Sequence, residues 1–132
     1  KTLIAEMTAD AESFAGNAQL AGIAVNLKNG INSLSTAAEW LLANYDSKPQ
    51  AAAAGAVPFL KLTGIVVGGW LMAKSAAIAV KHIAADTTDD FYTAKLATAT
   101  YFAAHQLPFA AAYSAEITGG SESVFALPEN LF

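Results

Sequence analysis

The clearest hydrophobic pattern in the chain lies between residues 20 and 45. Apolar side chains recur there in alternating steps of four and three, at Leu20, Ala24, Leu27, Ile31, Leu34, Ala38, Leu41 and Tyr45. This spacing places them along one side of an α-helix. Polar residues fall away from that seam, at Asn26, Asn29, Ser33 and Thr36. We therefore predict a long helix packed along its whole length, in which packing must compensate for the poor helix propensity of Gly30.

A shorter amphipathic helix is predicted before it, over residues 3–15, from the spacing of Leu3, Met7 and Phe14. Gly16 and Asn17 are typical of a helix end. After the long helix, the sequence NYDSKPQ (residues 44–50) predicts a turn, because it is polar and contains proline.

A long helical region is predicted from the alanine run at residue 51 to about residue 85. Pro49 suits the first position of this helix. Pro58 is expected to kink or restart it, because proline cannot donate the backbone hydrogen bond of a helix interior.

The last long helix is predicted over residues 89–117, with Thr87 or Thr88 as its cap and acidic residues at its positive end. Its seam is Tyr92, Leu96, Ala99, Ala103, Gln106, Ala110, Tyr113 and Ile117. A second side is also largely apolar, with Phe91, Thr98, Tyr101, Phe102 and Phe109. A helix that is apolar on more than one side is typically buried between neighbours. Pro108 is expected to kink it.

The sequence TGGSES (residues 118–123) should end this helix and begin a tail. Its apolar residues, Val124, Phe125, Leu127 and Phe132, are expected to plug into the bundle. No strand pattern is present. The predicted fold class is all-α: an up-down bundle of three long helices plus a shorter N-terminal helix and a C-terminal tail, forming one domain over residues 1–132.

Composition narrows the classes of function. The 132 residues are 55% hydrophobic, with a formal net charge of −4, and lysine is the only strongly basic residue, since the sequence contains no arginine. A nucleic-acid-binding protein should carry a basic face, so we exclude that class. The absence of cysteine excludes a disulfide scaffold and a thiolate metal site, and it is compatible with the cytoplasmic location that we expect. Because KTLIAEMTAD starts without methionine or a signal peptide, we expect a domain excised from a longer protein.

The stretch GIVVGGWLMAK (residues 64–74) contains three glycines in an apolar run. Lysines at 61 and 74 close the run well short of the ~20 residues of a membrane span, and no strand or phosphate-loop motif accompanies the glycines. Gly64 and Gly68 instead form a pair of small residues four apart, which lets a second helix approach closely. We favour tight packing within the bundle, with Trp70 filling space nearby, and the alternative is a face for self-association.

Candidate catalytic residues are scattered. His82 and His105 lie on different predicted helices, and neither has a partner at metal-ligand spacing. Glu39 beside Trp40 and Glu116 near Tyr113 could serve as general bases, but solvated helix faces are the simpler interpretation. Ser35, Ser75 and Ser114 lack the sequence context of a catalytic nucleophile. Asp86, Asp89 and Asp90 form an acidic cluster, which we interpret as a helix cap in preference to a cation site. The residue chemistry indicates a helical bundle that is not a self-contained enzyme.

Two segments in the second half of the chain carry a family resemblance. The first, VPFLKLTGIVVGGWLMAKSA (residues 57–76), matches the pattern YL.L.G....GW through Phe59, Leu60, Leu62, Gly64, Gly69 and Trp70. The second, FYTAKLATATYFAAHQLP (residues 91–108), matches FY..KL.TA..F....LP through Phe91, Tyr92, Lys95, Leu96, Thr98, Ala99, Phe102, Leu107 and Pro108. Together with the following AEITGGSESVFAL, they resemble the extra C-terminal helical domain of a subset of flavin-dependent acyl-CoA dehydrogenases.

The resemblance implies a parent enzyme that takes a proton from the α-carbon of an acyl-CoA and passes a hydride from the β-carbon to FAD. The product would be a trans-2-enoyl-CoA, as in fatty acid β-oxidation. The glutamate base and the FAD contacts are expected upstream, so no catalytic, cofactor-binding or metal residue is assigned in this chain. The resemblance implies partners in the catalytic region of the parent chain and in a second subunit of a dimer. Candidate packing or interaction residues are Gly64, Gly68, Gly69, Trp70, Tyr92 and Lys95.

Two alternatives to the accessory domain remain open. One is a stand-alone helical module that binds a partner or oligomerises through the Gly64–Gly68 face. The other is peripheral membrane attachment through an apolar face, which is disfavoured because the lysine-rich polar face of an interfacial helix is missing.

Overall fold

The fold, described by a computed structural model over residues 2–85 and 89–131, is built from helices connected by short turns. The helices are α1 (Thr2–Ala15), α2 (Ala21–Asn44), α3 (Pro49–Ala54), α4 (Ala56–Ala84), α5 (Asp90–His105) and α6 (Phe109–Thr118), and a short 3-10 turn (Glu129–Leu131) follows in the tail. The described residues contain no strand. The predicted all-α bundle is confirmed.

The two longest helices, α2 and α4, form the centre of the bundle, because each contacts all the other helices. The largest fully buried side chains come from four helices and one turn: Met7, Leu27, Leu62, Val66, Leu107 and Ile117. Alanines fill much of the remaining core, which lets the helix axes lie close together.

The predicted seam of α2 is confirmed over its first four turns, where Leu20, Ala24, Leu27, Ile31 and Leu34 are buried. Beyond residue 34 Leu41 still packs against the core, but Ala37 is buried in place of Ala38 and Tyr45 is 70% exposed. An α-helix has 3.6 residues per turn, so a seam written with a repeat of 3.5 rotates out of the core over several turns.

The long helical region after residue 49 is divided at Gly55, and a new helix begins at Ala56 with Pro58 in its first turn, as the predicted restart expects. Pro49 starts α3 as predicted, and α3 ends after six residues. Pro58 lies in the first turn of α4, where the missing N–H leaves no helix hydrogen bond unmade. Gly55 lies in the core: a Cβ atom built there would be 3.1 Å from the Leu41 Cδ2 atom. The chain therefore turns where a side chain would not fit.

The single helix predicted over residues 89–117 is wrong, because the chain forms two helices, α5 and α6. The N–H groups of Gln106 and Leu107 both donate to the Phe102 carbonyl, at 2.8 and 3.2 Å. Pro108 has no N–H to donate to the carbonyl of Ala104, and the next helix begins when the Phe109 N–H donates to Gln106 (3.1 Å). The proline therefore ends one helix and starts another instead of bending a continuous one.

The second apolar side of this region is not buried between neighbours, contrary to the prediction. Phe91, Tyr101 and Phe109 are 54–60% exposed, and only Ala99 and Ala103 of α5 are buried. The expected apolar plugs of the tail are also on the surface, since Val124, Phe125 and Leu127 are 55–62% exposed, while Phe132 lies outside the described residues. These side chains pack against nothing that would remove them from water.

The start of α5 is capped by Asp89, whose side-chain carboxylate accepts a hydrogen bond from the Phe91 N–H (2.9 Å). A carboxylate at this position also interacts favourably with the helix dipole. The candidate caps Thr87 and Thr88, together with Asp86, lie outside the described residues.

Candidate interaction surface

Gly69 of α4 and Gly30 of α2 both face the side chain of Leu107. A Cβ atom built on Gly69 would lie 2.7 Å from the Leu107 Cδ2 atom, and one built on Gly30 would lie 3.2 Å from the same atom. Leu107 is only 2% exposed, although it lines a cavity of about 340 Å³ together with Gly30 and Pro108. The leucine at the break between α5 and α6 therefore lies between two glycines of the two central helices.

The other two glycines of the α4 stretch have different surroundings. Gly68 is partly buried, and a Cβ atom there would make an ordinary contact with the Phe102 ring (3.5 Å). Gly64 is exposed, and a Cβ atom there would meet nothing within 4 Å. Within this chain, then, Gly64 does not admit a neighbouring helix, and that function belongs to Gly69.

Trp70 connects α4 to α1. Its indole N–H donates a hydrogen bond to the Asp10 Oδ2 atom (2.7 Å), and the Lys74 Nζ atom lies 3.4 Å from the same oxygen. The Lys74 ammonium also lies 4.6 Å from the centre of the Trp70 ring. Trp70 is 9% exposed, so this hydrogen bond satisfies a donor that would otherwise be buried without a partner.

Tyr92 and Lys95 lie on α5 beside the C-terminal end of α4. The Tyr92 ring stacks on His82 with centroids 4.2 Å apart, and the Lys95 ammonium lies 5.2 Å from the centre of the Phe91 ring. Tyr92 and Lys95 also line a shallow pocket of about 170 Å³, with Ser75, Ile78, Ala79 and Phe91. The pocket is mostly apolar and open to solvent.

An apolar strip runs along the outer side of α4. We define the α4 face as the exposed residues Val57, Leu60, Gly64, Leu71 and Ile78. Their spacing of three, four and seven residues keeps them on one side of the helix. The three largest members, Leu60, Leu71 and Ile78, are 73%, 53% and 56% exposed. Over its length the face covers more than five helical turns.

Lysines flank the α4 face on both sides. Towards α6, the Lys61 ammonium lies 5.9 Å from the centre of the Tyr113 ring. Towards α5, Lys95 shares the pocket that Ile78 lines, and towards α1, Lys74 pairs with Asp10. Residues 47–85 and 91–115 contain five of the seven lysines and no carboxylate. Among the described residues, Lys74 is paired with Asp10, whereas Lys61 and Lys95 lie over the Tyr113 and Phe91 rings.

The candidate catalytic residues lie apart from one another. Glu39 and Glu116 are both exposed, and Glu39 accepts a hydrogen bond from the Ser35 hydroxyl (3.2 Å). This agrees with the interpretation of both glutamates as part of solvated helix faces. His105 contacts the ring of Tyr101, at the far end of α5 from His82. Over residues 2–85 and 89–131, no group of three or more histidine and carboxylate side chains is arranged to hold a metal ion.

By length and composition α4 could cross a membrane, with a mean hydropathy of 1.6 in its most apolar window. The apolar segment extends over Ala56–Ala84, so it is longer than the run between Lys61 and Lys74 on which the sequence-based prediction relied. Nine residues of this helix, however, belong to the core of the bundle, and every other helix packs against it. Only 33% of that window is buried inside the bundle, so packing in the core explains the apolar character of one side of α4 and leaves its outer side apolar and exposed.

Comparison with known proteins gives the class. The model of a family described as acetyl-CoA dehydrogenase C-terminal like matches residues 3–128, almost the whole chain. The chain belongs to this family, and the resemblance seen in the two motif segments is confirmed.

Two relatives are acyl-CoA dehydrogenases by name. The chain is 35% identical over 122 residues to 3-methylmercaptopropionyl-CoA dehydrogenase of Ruegeria pomeroyi, a match that covers 91% of this chain and 21% of that protein. It is 42% identical over 57 residues to the broad-specificity linear acyl-CoA dehydrogenase FadE5 of Mycobacterium tuberculosis, covering 41% of this chain and 9% of that protein. The chain therefore spans about a fifth of the first relative's length, as an accessory domain would.

Two contacts escaped prediction from the sequence. The hydrogen bond between Asp10 and Trp70 joins residues 60 positions apart, and no local pattern marks such a pair. The position of Leu107 between Gly30 and Gly69 had one signal, because a glycine inside a strongly apolar helix must be compensated by packing. That signal identifies the position but not the partner.

Proposed function

We propose that this chain is the C-terminal accessory domain of a FAD-dependent acyl-CoA dehydrogenase and that it is not catalytic alone. Its role would be to pack on the catalytic region of the parent chain or to stabilise a homodimer. The observation that carries the proposal is the family match over residues 3–128, and the names of both relatives support it.

The surface of the domain supports a packing role. Apolar side chains stay exposed on α4, on α5 and in the tail, in a chain that already buries a full core. Large exposed apolar areas are typical of surfaces that contact another protein. A domain that packs on a larger enzyme would cover some of them.

The chemistry would belong to the parent enzyme. Under this proposal the parent oxidises an acyl-CoA to a trans-2-enoyl-CoA in the cytoplasm, with FAD as the hydride acceptor. No residue of this chain is given a role in that reaction, and its contribution would be mechanical.

The complete reading frame and its product test the proposal. The protein translated from the native frame should carry flavin and reduce it when an acyl-CoA is added, while this chain alone should bind no flavin and oxidise no acyl-CoA. The measurements are the flavin absorbance of the purified proteins and anaerobic bleaching by acyl-CoA. Stoichiometric flavin on this chain alone would contradict the claim that it is not catalytic, and a native frame encoding only this domain would contradict the parent enzyme.

The second candidate function is a stand-alone interaction or oligomerisation module. One observation favours it: Gly64 is exposed with open space around it, as a glycine that admits a second molecule would be. A native protein of this domain alone that forms a stable dimer in sedimentation would support this candidate.

A further inference from the structure

We propose that the α4 face is the surface by which this domain docks on the rest of a longer dehydrogenase chain, and that the docked surface is apolar at its centre and carries carboxylates at its edges. The inference rests on the proposed function and goes further, because it selects one surface among several and states the chemistry of its partner.

The first support is the length of the unpartnered strip. From Val57 to Ile78 the helix rises about 32 Å at 1.5 Å per residue, and Leu60 and Leu71 stay more than half exposed along it. Interfaces that hold two protein surfaces together bury roughly 800 Å² on each side. The exposed residues of the strip and the adjacent Phe91 of α5 would form the apolar centre of such an interface, and the surrounding surface would supply the rest of its area.

The second support is Gly64, at the middle of the strip. Glycine lowers helix stability relative to alanine wherever it lies inside a helix. Gly69 and Gly68 face Leu107 and Phe102, so their lack of a side chain has a reason within the chain. Gly64 faces open space. Gly22 of α2 is equally open, so the space at Gly64 points to a close approach only together with its position at the middle of the apolar strip.

The third support is charge. Lys61 and Lys95 lie on the α5–α6 side of the face, over the Tyr113 and Phe91 rings, whereas Lys74 on the α1 side is already paired with Asp10. Complementary charge around an apolar centre selects a partner that carries carboxylates at its rim. A second copy of the α4 face would bring lysines against lysines, which is unfavourable. A lipid surface would make no additional contact in the open space at Gly64.

The fourth support is the amount of chain that the relative holds beyond this domain. The matched segment makes up 21% of the Ruegeria pomeroyi dehydrogenase, so nearly four fifths of that protein lies outside it. An accessory domain of such an enzyme has a large protein surface beside it. That remainder is the occupant we assign to the α4 face.

The absence of cysteine from the chain makes the surface directly measurable. Leu71→Cys and Ile78→Cys each introduce a thiol on the α4 face, and Leu42→Cys introduces one at a more exposed site (72%) on α2 as the control. Each variant is labelled with a maleimide twice, in this chain alone and in the complete protein translated from the native frame. Mass spectrometry of the peptides gives the labelling rate at each position.

In this chain alone, all three thiols should react at similar rates. In the complete protein, positions 71 and 78 should react at least about tenfold more slowly, since labelling then requires the contact to open, while position 42 keeps its rate. Protection at 42 without protection at 71 and 78 would overturn the choice of face and leave the accessory-domain function standing. Protection at none of the three would overturn that packing function as well.

Two other occupants have their own outcomes. Protection of positions 71 and 78 in this chain alone, increasing with protein concentration, would replace the dehydrogenase region with a second copy. Protection of this chain by vesicles of phosphatidylglycerol would replace it with a membrane. Either result overturns the proposal.

Two further pairs of variants test the open space at Gly64 and the charge of the flanking lysines. Gly64→Leu should restore fast labelling at position 78 in the complete protein, while Gly22→Leu, at an equally open glycine of α2, should not. Likewise Lys95→Glu should restore labelling and Lys28→Glu, on α2, should not. If the variant and its control give the same labelling rate at position 78 in both pairs, then neither Gly64 nor the flanking lysines belong to the docked surface.

Discussion

At the residue scale, the effect of a glycine in this bundle depends on what surrounds its missing side chain. Gly69 faces the buried Leu107, Gly68 faces the edge of Phe102, and Gly64 faces open space, although all three lie within six residues of one helix. The same change to alanine therefore has a different sign at different positions.

Gly69→Ala should lower the free energy of unfolding by about 1–3 kcal/mol, because the new Cβ atom would overlap the buried Leu107 side chain, which must then shift. Gly64→Ala should raise it by about 0.5–1 kcal/mol, because alanine favours the helix and nothing obstructs it. Urea unfolding followed by circular dichroism measures both. A Gly69→Ala variant as stable as Gly64→Ala would show that Leu107 moves aside freely.

The sequence locates these glycines but does not rank them. The spacing of Gly64 and Gly68 predicts a close helix approach, and the structure has it one residue further on, at Gly69. The reason is that α4 is apolar on almost every side, with Leu60 and Leu71 exposed and Leu62 and Val66 buried. A pattern without a polar side does not fix which side of the helix faces the core.

At the scale of elements, α1 is attached to the bundle by both apolar and polar contacts. Met7 and Ala11 are buried, and Asp10 accepts the hydrogen bond of the Trp70 indole. The side chains of Asp10 and Lys74 are 30% and 45% exposed, so their ion pair contributes little in water. The hydrogen bond to the buried indole carries most of the polar contribution.

Asp10→Ala should therefore lower the free energy of unfolding by about 1–3 kcal/mol, because it leaves a buried donor without a partner. Asp10→Asn should cost less, since its side-chain oxygen can still accept from the indole. Lys74→Ala should cost under ~1 kcal/mol. Thermal and urea unfolding of the three variants give the order, and a larger loss for Lys74→Ala than for Asp10→Ala would contradict it.

The division of the last helical region shows how far local signals reach. Pro108 marks a disturbance, and the structure turns the expected kink into a complete break. Two consecutive N–H groups donate to Phe102, and Leu107 enters the core at that point. The break is stabilised by the packing of Leu107, which depends on the tertiary structure. The sequence therefore shows where the helix is disturbed, but not whether it bends or ends there.

The tail is the element least connected to the bundle. Ending the chain after Ser123 should change the free energy of unfolding by less than ~0.5 kcal/mol, because Val124, Phe125 and Leu127 are mostly exposed. Ile117→Ala, at a site only 2% exposed, is the control that should cost about 2–5 kcal/mol. Denaturant unfolding of the two variants measures both, and a large loss on truncation would mean that the tail packs in solution.

At the scale of the whole molecule, the domain buries a hydrophobic core and leaves large apolar side chains exposed on α4, on α5 and in the tail. Both long central helices were predictable, because their apolar residues repeat over many turns. The exposed aromatic residues of α5 were predicted as buried. The sequence records that a side chain is apolar, but not whether it is covered by its own chain or by another.

Replacing the exposed apolar residues of α4 should therefore reduce aggregation of the isolated chain without lowering its free energy of unfolding. Leu71→Glu with Ile78→Glu should leave the free energy of unfolding within about 0.5 kcal/mol, because both sites are more than half exposed. The variant should scatter less light at high concentration than the unaltered chain. Val66→Glu, at a fully buried site, should prevent folding, which separates the surface effect from a general effect of charge.

The position of Leu107 between Gly30 and Gly69 also fixes how the central helices are aligned along their axes. A shift of α4 by one turn, about 5.4 Å, would bring Ile65 or Ala73 in place of Gly69, and the same shift of α2 would bring Asn26 or Leu34 in place of Gly30. In each case the space that Leu107 needs is filled. Helices rich in alanine could slide past one another with little loss of contact, and these two small gaps select a single alignment.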